Sequence, residues 1–229
     1  MEQYVLIGGT ACDLLMGDAG FEFRVTKDLD IVLFIEVLDS SFLQTFWNFI
    51  REAEYQESKE SKDRCSYRFQ KPKKVEFPKM IELFSRKLDF VAMKENNHLI
   101  RIQTEEDLSS LSAILMDESY YQLCLNGKIQ KSGLSILRAE HLLPLKAKAW
   151  LDLGQQKADS GDIRKHRNDI FKLFQIVDPD YSITLPIVIQ NDFRVFIESM
   201  KTEPFDIKRI GIATAKTVLL KDMQKYYKL

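Results

Sequence analysis

Two aspartates separated by one residue, Asp28 and Asp30, are the side chains of this sequence best placed to do chemistry. They stand in the run Lys-Asp-Leu-Asp-Ile-Val-Leu, which begins at Lys27. If this run is a strand, its side chains alternate between the two faces and both carboxylates point the same way. Neighbouring carboxylates on a buried sheet repel each other and lose hydration, and a divalent cation with oxygen ligands relieves both costs. The pair therefore predicts a site for Mg²⁺ or Mn²⁺.

A Gly-Gly turn precedes the aspartates. Gly8 and Gly9 follow a short apolar strand predicted over 4–7, and a helix is predicted over 10–16. The backbone N–H groups at the start of a helix bind phosphate, and glycine allows a bulky polyphosphate to approach the backbone closely. Gly8, Gly9 and Thr10 are therefore candidate phosphate-binding residues, with a purely structural turn as the alternative. Lys27 is either a phosphate partner or a solvated charge.

A third carboxylate is needed to complete the metal site or to activate an attacking hydroxyl. Glu82 lies in an apolar strand predicted over 79–84, and Asp89 lies in a second extended segment predicted over 87–93. An acid within an apolar strand needs a partner, which favours a function for both. We prefer Glu82 because its strand follows a loop marked by Pro78.

Two lysines and one aspartate stand out in the second half of the chain. Lys146 and Lys148 interrupt an otherwise apolar helix predicted over 139–153, and Asp169 lies on a helix predicted over 162–177. A lysine on such a face either extends its amine to solvent or binds a triphosphate as a point charge. Asp169 is either functional or the partner of a lysine. Both alternatives stay open at the level of sequence.

The elements that must position these residues follow from the hydrophobic period. The pattern is mixed up to about residue 107 and mainly helical after it, which predicts an α+β fold: a mixed β-sheet with flanking helices, followed by a helical C-terminal region. The two regions meet within residues 105–138. We predict a catalytic domain over 1–120 and a helical domain over 121–229. The other predicted strands are 24–34, 66–69 and 134–137, and the other predicted helices are 40–52, 192–200 and 207–227.

Composition sets limits on location and partners. The chain has 229 residues and a formal net charge of −1, which gives no global attraction to nucleic acid. Its three cysteines are far apart and match neither a zinc site nor a disulfide framework, and no apolar run reaches the roughly 18 residues of a membrane span. We therefore expect a cytoplasmic protein with no membrane partner. Basic residues near a predicted loop are either a nucleic-acid track or a solvated surface; they are Arg64, Arg68, Lys71, Lys73 and Lys74.

The order of these motifs resembles a known family. Gly8-Gly9-Thr10, the run from Arg24 to Asp30 and a later single acid resemble the nucleotidyltransferase superfamily typified by DNA polymerase beta. The late lysines and the pair Asn168-Asp169 are similar to the AbiEii/AbiGii-type nucleotidyltransferases of abortive-infection and toxin–antitoxin systems. The resemblance extends to about residue 177, and it implies a nucleotidyltransferase-like sheet.

The resemblance implies a reaction as well. Asp28, Asp30 and Glu82 would hold the metal on a nucleoside triphosphate, and Glu82 would also help to activate the acceptor hydroxyl. The turn at Gly8 would bind the phosphates, and Lys146 or Lys148 would neutralise them. The acceptor would be a tRNA or a protein, and the chain would be the toxin partner of a cognate antitoxin. The alternatives are an aminoglycoside-type small-molecule nucleotidyltransferase and an inactive module that binds a nucleotide or a partner.

Overall fold

The computed structural model describes residues 2–34, 37, 39–57, 67–84, 117–156, 158–181 and 183–229. The chain forms two compact units, one of residues 1–11 with 24–136 and the other of residues 12–23 with 137–229. The predicted domain boundary between residues 120 and 121 stays a prediction. Asp89 and the extended segment predicted over 87–93 lie outside the described residues.

The first unit is built on a mixed sheet. In the described part of the chain its seven strands lie in the order β3-β4-β5-β2-β1-β7-β6. Strand β1 pairs antiparallel with β2 and parallel with β7, and β2 pairs parallel with β5. The strands are β1 (Tyr4–Ile7), β2 (Asp28–Leu33), β3 (Gln56–Glu57), β4 (Tyr67–Gln70), β5 (Met80–Phe84), β6 (Lys128–Lys131) and β7 (Leu134–Leu137).

Strands β2, β3 and β6 differ most from the sequence prediction, and β3 falls where no strand is predicted. Strand β2 begins at Asp28, and the part of the predicted strand from residue 24 to residue 27 has no regular structure. Strand β6 falls in a region predicted to be mainly helical. It is joined to β7 by Ser132-Gly133, both with positive φ (50° and 78°), as two-residue hairpin turns of the type I′ class require.

Helix α2 (Ser40–Glu52) covers one face of this sheet. Its N-cap is Asp39, whose Oδ1 accepts a hydrogen bond of 2.8 Å from the Phe42 N–H. The predicted apolar side of the helix packs on the core of the first unit, which confirms the helical period of the sequence. The core members from the helix are Phe42, Phe46, Trp47 and Ile50, and those from the sheet include Leu29, Ile31, Leu33, Phe69, Ile81 and Leu83.

Helices dominate the rest of the chain. Helix α1 (Gly8–Asp18) begins in the first unit, and α3 (Glu118–Asn126) belongs to it entirely. The helices of the second unit are α4 (Ala139–Gln155), α5 (Ser160–Leu173), α6 (Ile187–Thr202) and α7 (Lys216–Tyr226). The prediction of one helix over 207–227 is wrong. A 3-10 turn over Ile207–Ile210 ends at Gly211, whose φ of 83° is left-handed, and α7 starts five residues later.

Pro144 lies inside α4 and changes the hydrogen bonding of that helix. Because proline has no N–H, it cannot donate to the carbonyl of Glu140, four residues earlier. The hydroxyl of Tyr227 donates to this carbonyl instead, at 2.7 Å, and the bond is buried. Burial raises the pKa of Tyr227 well above its usual value. Tyr227 thus supplies the hydrogen bond that the carbonyl of Glu140 would otherwise receive from within α4.

The α+β class is confirmed by this architecture, with a mixed sheet, flanking helices and a mainly helical C-terminal region. Within the described ranges, no helix combines the length and the apolar character needed to cross a bilayer.

Candidate functional site

Strand β2 presents its two aspartates on one face. Leu29, Ile31 and Leu33 face the core under α2, so the alternating side chains of Asp28 and Asp30 lie on the opposite face. Both aspartates are half-buried. The alternation of side chains along β2 therefore places two partly dehydrated carboxylates next to each other on one face of the strand.

Strand β5 brings a third carboxylate to the same face. Glu82 lies directly opposite Asp30 in the parallel register of β2 and β5. Adjacent strands are about 4.8 Å apart, so the two side chains are immediate neighbours. Glu82 is 8% exposed. The strand register thus places Asp28, Asp30 and Glu82 on one face of the sheet, while Asp89 lies outside the described residues.

Glu82 is bound by an arginine from the next strand. Arg68 lies opposite Glu82 in the antiparallel register of β4 and β5. Its Nε and Nη2 atoms both contact Oε1 of Glu82. Arg68 belongs both to the strand predicted over 66–69 and to the basic run, and neither prediction identifies this ion pair. The alternation of Arg68 with the buried Phe69 indicates that Arg68 lies in a strand. Only the pairing of β4 with β5 identifies Glu82 as its partner.

The Gly-Gly turn lies against the aspartates. Gly8 opens α1 with a φ of 66°, and a Cβ atom at this position would lie 1.7 Å from Oδ2 of Asp30. Only glycine leaves room for that carboxylate at the start of the helix. The hydroxyl of Thr10 donates to the carbonyl of Asp28 at 2.6 Å. The first turn of α1 and the acidic strand are therefore in direct contact.

The segment before β2 reaches the same turn. A Cβ atom on Gly9 would lie 2.8 Å from Oγ1 of Thr26 and 3.1 Å from Nη2 of Arg24. The side chain of Lys27 is exposed, and its carbonyl accepts a hydrogen bond of 2.7 Å from the Lys79 N–H. Arg24 thus places a cation beside the helix start where a phosphate would bind, and the role of Lys27 stays a prediction.

The side chains at this site are better suited to hold one divalent cation with two carboxylates than with three. No group of three or more metal-ligating side chains is found among the residues that the structure describes. Glu82 is bound by Arg68, and Asp28 and Asp30 share a face and offer oxygen ligands. Mg²⁺ is commonly held by one or two carboxylates together with water and substrate phosphates. The two aspartates meet that requirement.

The predicted residues of the second unit form ion pairs within it. Lys146 of α4 and Asp169 of α5 are joined by a bond of 2.8 Å, and their side chains are only 4% and 3% exposed. Lys148 pairs with Asp152, one turn further along α4, at 2.7 Å. Of the alternatives that the sequence left open for Asp169, the pairing with a lysine is therefore observed. The binding of a triphosphate by either lysine stays a prediction.

Much of the basic run is matched by acids. Besides the pair of Arg68, Lys73 contacts Glu54, and Lys74 lies 3.4 Å from Glu52. These acids are contributed by α2 and the turn that follows it. Arg64 lies outside the described residues. The described part of the run is therefore largely balanced in charge, which weakens its interpretation as a nucleic-acid track.

Comparisons with known proteins give one distant likeness. No protein-family model matches the chain, and no curated protein matches it. Among solved structures, it is similar to an antigenic nucleotidyltransferase-like protein from Paracoccidioides brasiliensis, with a TM-score of 0.45 and 13% identity. The similarity covers 99% of this chain and 88% of that protein. At this distance the likeness carries no conclusion about the function of the chain.

Proposed function

We propose that the chain is a nucleotidyltransferase that moves a nucleoside monophosphate from a nucleoside triphosphate to an acceptor hydroxyl. The observation that carries the proposal is the contact between the acidic strand and the start of α1. There the Asp30 carboxylate occupies the space that a side chain at Gly8 would fill. A phosphate-binding helix start and an acidic strand in contact are what the handling of a metal-bound nucleotide requires.

The residues divide the work in this proposal. The N–H groups of Gly8, Gly9 and Thr10 bind the phosphates, and Arg24 adds positive charge beside them. Asp28 and Asp30 would hold Mg²⁺ or Mn²⁺, which supplies charge neutralisation for the triphosphate when bound. Catalysis then depends mainly on positioning and on electrostatic stabilisation.

Glu82 is the residue proposed to accept the proton of the acceptor hydroxyl. It lies next to Asp30 and is held in one orientation by Arg68. As the proton passes to the Glu82 carboxylate, the acceptor oxygen forms its bond to the α-phosphorus. The bond from the α-phosphorus to the bridging oxygen breaks, and pyrophosphate leaves with that electron pair.

We propose a tRNA or protein hydroxyl as the acceptor, on the resemblance of the motifs to toxin-type nucleotidyltransferases. In that role the chain would act in the cytoplasm and bind a cognate antitoxin. A small-molecule acceptor is a second candidate, because three of the four described residues of the basic run, Arg68, Lys73 and Lys74, are paired with acids. An RNA acceptor would be better served by unpaired cations.

A transfer assay tests the proposal. The protein is incubated with Mg²⁺ and each α-labelled nucleoside triphosphate in turn, with tRNA, a protein extract or an aminoglycoside mixture as acceptor. We expect label on one acceptor class, and a loss of at least about 100-fold in the Asp28→Asn/Asp30→Asn variant, since the cation site is gone. Asp13→Asn, which removes an exposed carboxylate of α1, is the matched control and should transfer normally.

The possible results separate the candidates. Label on tRNA or protein supports the toxin-type reaction, and label on the aminoglycoside supports the small-molecule reaction. If the folded protein transfers label to none of these acceptors with any of the four nucleotides, the proposed transferase activity is wrong.

A further inference from the structure

Three charged side chains form a row across three strands of the sheet. Asp30 on β2, Glu82 on β5 and Arg68 on β4 are direct neighbours in the two strand registers. Directly opposite residues of adjacent strands point to the same face, so the row lies beside Asp28 on the side of the sheet away from α2. The row therefore consists of two carboxylates followed by one guanidinium on β4.

The contact between Arg68 and Glu82 is specific. Two guanidinium nitrogens, Nε and Nη2, share one carboxylate oxygen. The Glu82 side chain is largely buried, while that of Arg68 is 29% exposed. An ion pair in such a place is weakly screened by water. The negative charge of Glu82 is therefore matched within the chain by Arg68.

We propose that Arg68 replaces a second metal ion in this site: its guanidinium neutralises Glu82, which ligates no metal, and a single divalent cation binds to Asp28 and Asp30. The inference deepens the proposed function, and it rests on that proposal for the cation at the two aspartates. With Glu82 bound by Arg68, Asp28 and Asp30 are the carboxylates of this face that offer oxygen ligands to one divalent cation.

The role of Arg68 is one of positioning. It acts through Glu82, which it keeps away from the cation and in one orientation beside Asp30. A guanidinium cannot dissociate as a metal ion can, so the charge at this end of the row does not depend on the concentration of free metal. The site should accordingly respond to added cation with a single binding step.

Titration of the full chain with Mn²⁺ alone, followed by the electron paramagnetic resonance of free Mn²⁺, tests this assignment without any transfer reaction. We expect one Mn²⁺ per wild-type chain and a loss of affinity of at least tenfold in Asp28→Asn/Asp30→Asn. Glu82→Gln should bind Mn²⁺ within threefold of wild type, because Glu82 is not a ligand. A tenfold or greater loss in Glu82→Gln overturns the inference.

Removal of the Arg68 side chain is expected to increase Mn²⁺ binding. In Arg68→Gln, Glu82 is released to join the aspartates, and we expect at least tenfold tighter binding or a second bound Mn²⁺. Arg68→Lys, which keeps the charge, and Arg68→Gln/Glu82→Gln, which removes both partners, should return to wild-type behaviour. Lys79→Gln removes an exposed charge close to β5 and controls for the general loss of positive charge. An equal gain in Lys79→Gln would overturn the specific role of Arg68.

The outcome separates this inference from the proposed function. If Arg68→Gln does not fold, as judged by circular dichroism, the affinity of Glu82→Gln alone decides, since its amide can still accept from Arg68. If the aspartate variant binds Mn²⁺ as wild type does, the cation site of the proposed function is wrong, and the inference fails with it. If the aspartates bind Mn²⁺ and Glu82 proves to be a ligand, only the inference is wrong.

Discussion

Replacement of Gly8 by alanine tests the contact on which the candidate site depends. The new methyl group would lie 1.7 Å from Oδ2 of Asp30 and 2.6 Å from its Cγ. Non-bonded heavy atoms prefer a separation of about 3.5 Å, so the carboxylate would have to move away by roughly 2 Å. The backbone adds a second penalty, because the φ of 66° is left-handed and alanine rarely adopts it.

The strained backbone is expected to lower stability modestly, and the displaced carboxylate is expected to lower activity strongly. The left-handed conformation costs alanine about 1–2 kcal/mol, which corresponds to a fall in melting temperature of about 2–8 °C for a chain of this length. A displacement of about 1 Å in a catalytic group can lower a rate 100-fold. We therefore expect Gly8→Ala to fold with modestly reduced stability and to lose Mn²⁺ affinity tenfold or more, with transfer reduced at least about 100-fold.

Gly17→Ala is the matched control. Gly17 lies on the same helix, α1, and a Cβ atom added there would have nothing within 4 Å. Alanine has the higher helix propensity, so this variant should be unchanged or more stable by up to about 1 kcal/mol. Thermal unfolding followed by circular dichroism and Mn²⁺ titration would be run on both variants. If Gly8→Ala binds Mn²⁺ and unfolds as Gly17→Ala does, the proposed relation between the Gly8 turn and Asp30 is wrong.

Three further predictions concern the second unit. Tyr227→Phe leaves the carbonyl of Glu140 without its donor, and urea denaturation should show a loss of about 1–3 kcal/mol. Lys146→Met and Asp169→Leu should each cost about 3–5 kcal/mol by stranding a buried charge, whereas the double variant should cost much less. Burial, with Arg138 nearby, lowers the pKa of His141 to about 4, so the unfolded chain binds the proton first and stability should fall as the pH drops from 6.5 towards 4.

Each of these predictions has a result that contradicts it. Unchanged stability in Tyr227→Phe would mean that water satisfies the Glu140 carbonyl. If the single variants of Lys146 and Asp169 cost less than the double variant, the destabilisation does not come from a stranded buried charge. His141→Gln should flatten the stability profile between pH 6.5 and pH 4, and a profile as steep as that of wild type would assign the effect to other groups.

Local sequence patterns predicted much of the fold because they report burial directly. The strands over Tyr4–Ile7 and Leu134–Leu137 and the helix over Ser40–Glu52 have the predicted bounds. In α2 the hydrophobic period matches the face that packs on the core, whereas the two strands are short runs in which three of the four residues are buried. The helix predicted over 207–227 was wrong because the left-handed conformation of Gly211 interrupts a period that continues on both sides. Strand β6 was missed because it is short and polar.

In the candidate site, the sequence by itself determined the residue types and the faces on which they lie. The period of two put Asp28 and Asp30 on one side of a strand, and the glycines marked a turn next to a helix start. These relations act over a few residues, so the chain direction and the alternation of side chains are enough to derive them.

Only the tertiary structure decided which charges meet. Arg68 and Glu82 are 14 residues apart, and Lys146 and Asp169 are 23 apart, so neither pair lies within a single element. Their contacts depend on strand register and helix packing, which are set by the burial of many apolar side chains at once. A local pattern predicts that a charge lies on a given face. The tertiary fold as a whole determines which partner stabilises that charge.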